Sequence, residues 1–203
     1  MTKIKFRKIA HKINLKDLNQ IRLILKKENQ TSILANLSKL NIYNYFKEVV
    51  RSRDFELFVI SNQNIIGYAL IVKKPKYLIG NFDRFKFQFF FDLLINFKFM
   101  SIINIFISKI GLDNLLIKKI KKKILSNSIN LNLLAIQKNH QSKGLGKKFL
   151  TYIINNTQFE STHISCETDN FRSNKFYVEK LLFKNIGKKI RFPYLMKVLI
   201  KKI

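Results

Sequence analysis

The sequence is poor in the residues that cross-link or punctuate a chain. It has one cysteine, two prolines, six glycines and no tryptophan. A single cysteine, Cys166, excludes an intrachain disulfide framework and a multi-cysteine zinc site. The shortage of proline and glycine excludes collagen-like and low-complexity linker classes. Acidic residues are scarce: 12 Asp and Glu stand against 39 Lys and Arg, a formal net charge of +27. Long apolar runs are missing as well. The most lipid-like stretch, Phe85 to Ile107, is interrupted by Lys86, Asp92 and Lys98, and its longest uncharged run is about ten residues, short of the ~20 that span a bilayer. It reads as buried or interfacial helix. Met1 to Ala10 is charged and alternating with no apolar centre, so no secretory signal is read there and a cytoplasmic location is expected.

What is present is a chain of 203 residues, 47 % of them hydrophobic, which predicts one domain over 1–203 with a sizeable core. Its charge admits nucleic acid, an anionic membrane surface or a polyanionic ligand as partner. The lysines are spread over the whole chain beside abundant Ile, Asn and Phe, a pattern that A+T-rich codons also produce. The charge is therefore read first as a solvated surface.

Along the chain, Ile4, Phe6 and Ile9 mark a short first strand. Asn14 can cap a helix whose apolar positions include Leu18, Ile21 and Leu25, and a second helical stretch runs from Thr31 to about Arg51. Leu57 to Ile60 and Ile65 to Val72 flank the turn residues Ser61 to Asn64, which predicts a β-hairpin. From about 81 to 125 the chain reads as helical and aromatic-rich, with Phe82, Phe85, Phe87, Phe89, Phe90, Phe91, Phe97 and Phe99, and it closes on the basic run Lys118, Lys119, Lys121, Lys122 and Lys123. This segment is expected to be a helical insertion that serves as core, as a lid, or as a face lying on a membrane surface. Its phenylalanines cluster consecutively, which fits burial better than stacking on single-stranded nucleic acid. Further on, Asn130 to Ile136 reads as a strand, and Leu145, Phe149, Leu150, Ile153 and Ile154 share one face of a helix. His163 to Glu167 reads as a strand, Asn170 to Leu182 as a helix, and Tyr194 to Ile200 as a last strand.

The segment with chemical content is Gln141-Ser142-Lys143-Gly144-Leu145-Gly146, between a strand and a helix. Amides at a helix start have no partner within the helix, and the helix dipole adds partial positive charge there, so this is an anion site. Glycine lets a phosphate approach the main chain, and Lys143, Lys147 and Lys148 add charge. A Rossmann fingerprint fails at Phe149, where a third small residue is needed, and a Walker A loop lacks its leading glycine five residues before the Gly146-Lys147 pair.

Here the chain resembles a known family. Leu133-Leu134-Ala135-Ile136, then Gln141-x-x-Gly144-x-Gly146 and Leu150, is similar to the acyl-CoA-binding motif of the GNAT superfamily of N-acetyltransferases. Downstream, Glu167, Asn170, Asn174, Phe176-Tyr177 and Phe183 resemble the family's strand-then-helix signature, with Leu182 where a glycine usually precedes the final phenylalanine. Ile66-Gly67-Tyr68 looks like the family's third strand. The resemblance is specific over about 130 to 184.

It implies an α/β fold, a mixed and largely antiparallel sheet flanked by helices, in which the fourth and fifth strands splay around the cofactor arm. It implies acetyl-CoA as donor, held by the main chain of Leu134, Ala135 and Ile136 and by the backbone from Gln141 through Ser142, Lys143, Gly144 and Leu145 to Gly146. The reaction implied is direct attack of an amine on the thioester in a ternary complex, the acceptor being a small amine, an amino sugar among the options. Tyr177 is then the candidate acid for the leaving thiolate, and the alternative is a core aromatic. Asn170 and Asn174 are candidate contacts to the cofactor arm, Asn170 being equally readable as a helix N-cap. Glu167 is the candidate base, with Glu56 a weaker and more exposed one. Cys166 reads as a packed apolar side chain, and His140 and His163 as surface residues. No metal-ligand spacing is present. Expected partners are the amine, an anionic membrane at its inner face and a second copy in a homodimer. A fold of this kind without catalysis, binding RNA or membrane through its charge, is the competing expectation.

Overall fold

The computed structural model describes residues 3–73, 86–95, 98–109, 116–117, 119–191 and 193–203. The expectations for Phe82, Phe85, Phe97 and Lys118 lie outside them. Seven strands form one sheet in the order β1-β2-β3-β4-β5-β7-β6. They are β1 (Lys5–Ile9), β2 (Phe55–Asn62), β3 (Asn64–Val72), β4 (Ile129–Ile136), β5 (His163–Thr168), β6 (Lys184–Arg191) and β7 (Tyr194–Lys202). Among the described residues the α-helices are α1 (Leu15–Glu28), α2 (Lys39–Arg51), α3 (Lys86–Ile95), α4 (Phe99–Lys109), α5 (Lys119–Ser126), α6 (Leu145–Asn156) and α7 (Phe171–Lys175). This is the expected α/β class, with α3 to α5 inserted between β3 and β4. The chain divides into two compact units, Met1–Ile71 with Asn132–Gln158 and Val72–Leu131 with Phe159–Ile203.

In the first unit, local chemistry sets the elements. Asn14 caps α1 by accepting from the Asp17 amide at 2.7 Å, and Ser38 caps α2 by accepting from Asn41. The hairpin turns on Gln63, which takes a left-handed φ of 64°. From Phe55 to Ile60 every residue of β2 is buried, so this strand reads as a continuous apolar run because both its faces are covered. On one face Phe46 of α2 meets Tyr68 edge-on at 6.0 Å, and on the other Phe58 meets Tyr152 of α6 at 6.2 Å. Burial of each such ring contributes about 2–3 kcal/mol. Gly67 is required by close approach: a Cβ there would stand 2.9 Å from the Ala135 carbonyl oxygen of β4. Glu56, expected to be exposed, is only 3 % exposed. It accepts from Lys8 Nζ at 2.6 Å, Thr157 Oγ1 at 2.6 Å and the Gln158 amide at 3.0 Å. It ties β1 and β2 to the end of α6.

In the second unit, β5 pairs parallel with the start of β4 through Ile129–Leu131 against Ile164–Cys166. Ser128 and Ser165 are fully buried, with their hydroxyls 2.8 Å apart, and Asn130 Nδ2 donates to Ser165 Oγ at 3.2 Å. A slip of this register would strand buried hydroxyls, so the cluster pins it. Cys166 is buried against the opposite face, as expected, and burial pushes its thiol well up. Phe171–Lys175 is α-helical, but Phe176–Lys180 widens into a π-helical turn.

Leu182 follows at φ 61°, the left-handed conformation the missing glycine would adopt without strain. Its side chain is 73 % exposed, so little packing offsets the strain of roughly 1–2 kcal/mol. Leu182→Gly should therefore stabilise the chain by about 1 kcal/mol once glycine's extra unfolded-state entropy is deducted. Urea unfolding reads this directly, and a loss of stability would show that Leu182 packs in a way its exposure denies.

Candidate functional site

Among the described residues three helices are capped by a side chain, and the one that starts after Gly144 is not. Asn14, Ser38 and Asn170 serve α1, α2 and α7. The N-cap of α6 is Gly144 at φ 74°, with no side-chain cap bond. The first intrahelical bond runs from the Lys148 amide to the Gly144 carbonyl at 3.2 Å. Among the described residues no protein acceptor takes the amides of Gly144, Leu145, Gly146 or Lys147. A Cβ on Gly144 would have nothing within 4 Å, so the surface over these amides is open. Lys143, Lys147 and Lys148 are exposed around it. Four amides without an acceptor among the described residues, a helix dipole and three ammonium groups suit a phosphate-like anion.

The approach to this loop is braced. The Gln141 amide is taken by the Lys138 carbonyl at 3.2 Å, and its side chain donates to the Ile136 carbonyl at 2.5 Å. Gln141 thus positions the loop from both ends of its own residue, whereas direct donation to an anion was expected of its backbone. Glu28, at the end of α1, accepts from the Lys138 amide at 3.2 Å and from Gln141 Nε2 at 3.4 Å. The sequence carries no signal for Glu28, which reads there as one polar residue on an amphipathic helix. A cavity of about 510 Å³ lies beside it, between Leu23, Ile24 and Lys27 of α1 and the segment Gln137 to Asn139.

The preceding strand has a fixed phase. The Gln137 amide donates to the Ile66 carbonyl at 2.9 Å, and the Ala135 carbonyl faces Gly67, so the main-chain groups of these residues turn toward β3. Those of Leu134 and Ile136 turn the other way, because neighbouring residues of a strand alternate. Leu134 to Ile136 and Gln141 to Gly146 all belong to the first unit. Glu167, Asn170, Asn174 and Tyr177 belong to the second.

In the second unit, Asn170 is the N-cap of α7, accepting from the Ser173 amide at 2.7 Å. Asn174 is half-buried on α7. Tyr177 is buried between Phe176 and Phe183, at ring distances of 5.2 and 5.4 Å. Burial, and secondarily the neighbouring Cys166, raises its phenol well above the ordinary range, so it stays protonated at neutral pH. The expectation that Asn170, Asn174 and Tyr177 share one face rests on a continuous α-helix, and the π-helical turn from Phe176 changes that phase.

A base role for Glu167 does not fit its setting. Lys189 Nζ lies 2.9 Å from one carboxylate oxygen, and Arg191 donates to the other from Nη2 at 3.1 Å and Nε at 3.3 Å. Burial alone would raise this carboxyl, but the two cations and their hydrogen bonds outweigh it and hold it at about 2. A carboxylate so held is a poor proton acceptor. Glu167 is a strut: β7 lies between β5 and β6, and the ion pairs cross it to fasten the edge strand.

No family model matches this sequence, and no curated protein matches it. Solved structures do match over nearly the whole chain. A mosquito arylalkylamine N-acetyltransferase-like protein is 16 % identical, covers 99 % of this chain and 100 % of its own, and superposes with a TM-score of 0.59. A GNAT-family acetyltransferase from Bacillus cereus is 12 % identical, with 98 % and 97 % covered and a TM-score of 0.53. The Arabidopsis thaliana protein NAA60, solved with a bisubstrate analogue, is 11 % identical, with 99 % of each chain covered and a TM-score of 0.56. The fold is that of the GNAT acetyltransferases. No helix among the described residues is long and apolar enough to cross a membrane.

Proposed function

We propose that this protein is an N-acyltransferase that moves an acyl group from acetyl-CoA to a small amine. The observation that carries the reading is the uncapped start of α6, where the amides of Gly144 to Lys147 have no protein acceptor among the described residues of a GNAT fold. These amides, with Lys143, Lys147 and Lys148, would hold the donor's phosphates. The outward main chain of Leu134 and Ile136 would line its arm. Acetyl-CoA, when bound, supplies an acyl group activated as a thioester. Tyr177 would stand as a protonated phenol that hydrogen-bonds the departing sulfur. Glu167, held as a carboxylate by its cations, is no strong base, and the acceptor amine must be neutral when it attacks, its proton passing to another group or to water.

The acceptor class is supported by the neighbours' own descriptions. One is an agmatine N-acetyltransferase, 9 % identical with a TM-score of 0.60, and another is arylalkylamine N-acetyltransferase-like. Both names specify amines, and an amino sugar belongs in the same screen.

Thermal unfolding with acetyl-CoA at ~100 times its dissociation constant should show about 2.7 kcal/mol of stabilisation. Release of free thiol across a panel of amines should then identify the acceptor. Absence of any stabilisation would overturn the reading and leave the charged, non-catalytic GNAT module in its place. Tyr177→Phe keeps the ring contacts and should retain donor binding while turnover falls about a hundredfold. Turnover at the parent rate would remove Tyr177 from the chemistry.

A further inference from the structure

The insertion has an outer face that its chemistry does not suit to water. On α3, Phe89 and Leu93 are buried, yet Phe91 and Ile95, one turn apart, are 57 % and 74 % exposed. On α4 the polarity is inverted. Ser101 is buried beside Ile102, while Met100, Ile103 and Phe106 are 50 %, 40 % and 57 % exposed. These positions are spaced by three and four residues, so each helix presents one apolar stripe, and the two helices pack together. A soluble surface tolerates scattered apolar residues, but exposed stripes on two helices that pack together mark a contact.

Charge selects the occupant. From 86 to 126 the sequence has eight lysines and two aspartates, on a chain whose net charge is +27. Lys98 stands exposed between α3 and α4, and Lys122 and Lys123 stand exposed on α5. A second copy would bring an equal positive charge to the same face, which repels. An anionic bilayer offers apolar depth to the stripes and negative headgroups to the lysines. α3 and α4 have 10 and 11 residues, about half of the ~30 Å hydrocarbon thickness when helical, so they fit the interface plane and not a span.

We propose that the α3–α4 face docks peripherally on an anionic phospholipid bilayer, with Phe91, Ile95, Met100, Ile103 and Phe106 entering the acyl boundary. The inference is independent of the acyl-transfer reading, because it uses none of the residues assigned to the donor.

The test is flotation of the full chain with extruded vesicles of phosphatidylcholine alone or with 30 % phosphatidylglycerol, an amount typical of strongly anionic surfaces. Binding should be at least tenfold tighter to the anionic vesicles, and Ile95→Ser with Phe106→Ser should weaken it at least tenfold while the unfolding midpoint stays put. The chain has no tryptophan, so Phe106→Trp provides a single reporter that does not depend on the serine variant folding. Its emission should shift to the blue on anionic vesicles and be quenched by brominated acyl chains. Failure to float, floating undiminished by the double substitution, or tryptophan emission unmoved by lipid would each overturn the proposal. So would a dimer in sedimentation equilibrium that the double substitution dissolves while vesicle binding persists, or a loss of RNA binding in place of vesicle binding.

Discussion

Gly144→Glu is expected to abolish the stabilisation by acetyl-CoA, with donor affinity falling at least a hundredfold, about 2.7 kcal/mol. Three effects act together. The carboxylate sits over the amides of Gly144 to Lys147, where phosphate charge is proposed to bind, and it repels that charge. The side chain fills space that is open in the parent, since no atom lies within 4 Å of the position of its Cβ. The left-handed φ of 74° also becomes strained for a residue with a Cβ, by roughly 1–2 kcal/mol. That last effect lowers stability alone, so Gly144→Asn is the control: asparagine tolerates the left-handed region and carries no charge. Isothermal titration of both variants with acetyl-CoA separates the contributions. Donor binding by Gly144→Glu at parental strength would mean that the nucleotide is held elsewhere.

Glu167→Gln should destabilise the chain by about 3 kcal/mol near neutral pH, because an amide then faces Lys189 and Arg191 in place of a carboxylate. The carboxylate is 16 % exposed, so solvent screens the pairs only weakly. The pH dependence has a definite sign. In the folded chain this carboxyl is held at about 2, below its ordinary 4.5, so the unfolded chain binds more protons in that interval. The contribution is complete above about 4.5 and is lost as pH falls toward 2. Urea unfolding of parent and variant should therefore converge between those values. A gap that stays constant down to pH 2.5 would show that the ion pairs contribute nothing that depends on ionisation, and turnover lost out of proportion to stability would return Glu167 to the chemistry.

Much of the fold is legible because it rests on neighbours in sequence. Asn14 before an amphipathic run, a polar turn within Ser61 to Asn64, which narrows to Gln63, and Gly144 ahead of α6 are local devices found where their chemistry predicts. Leu182 shows the same logic in reverse: the left-handed turn persists although the residue that suits it is absent, because β6 must still begin at Lys184. Other features leave no local trace. β6 has no fully buried residue in its eight, so it shows no alternation and is hard to see before its pairing with β7 is known. The π-helical turn at Phe176 keeps the composition of an α-helix while changing which residues align.

The candidate site divides in the same way. The sequence by itself marked the candidate anion site, since a helix start with glycine at its cap and lysines around it is a property of consecutive residues. Only the tertiary structure decided the fate of the carboxylates. Glu56 and Glu167 look alike as candidate bases on strands, but Lys8, Thr157, Lys189 and Arg191 reach them from distant parts of the chain. Whether a carboxylate accepts a proton depends on the charges and donors within a few ångströms of it, and those are set by strand order and register, which no short window of sequence contains.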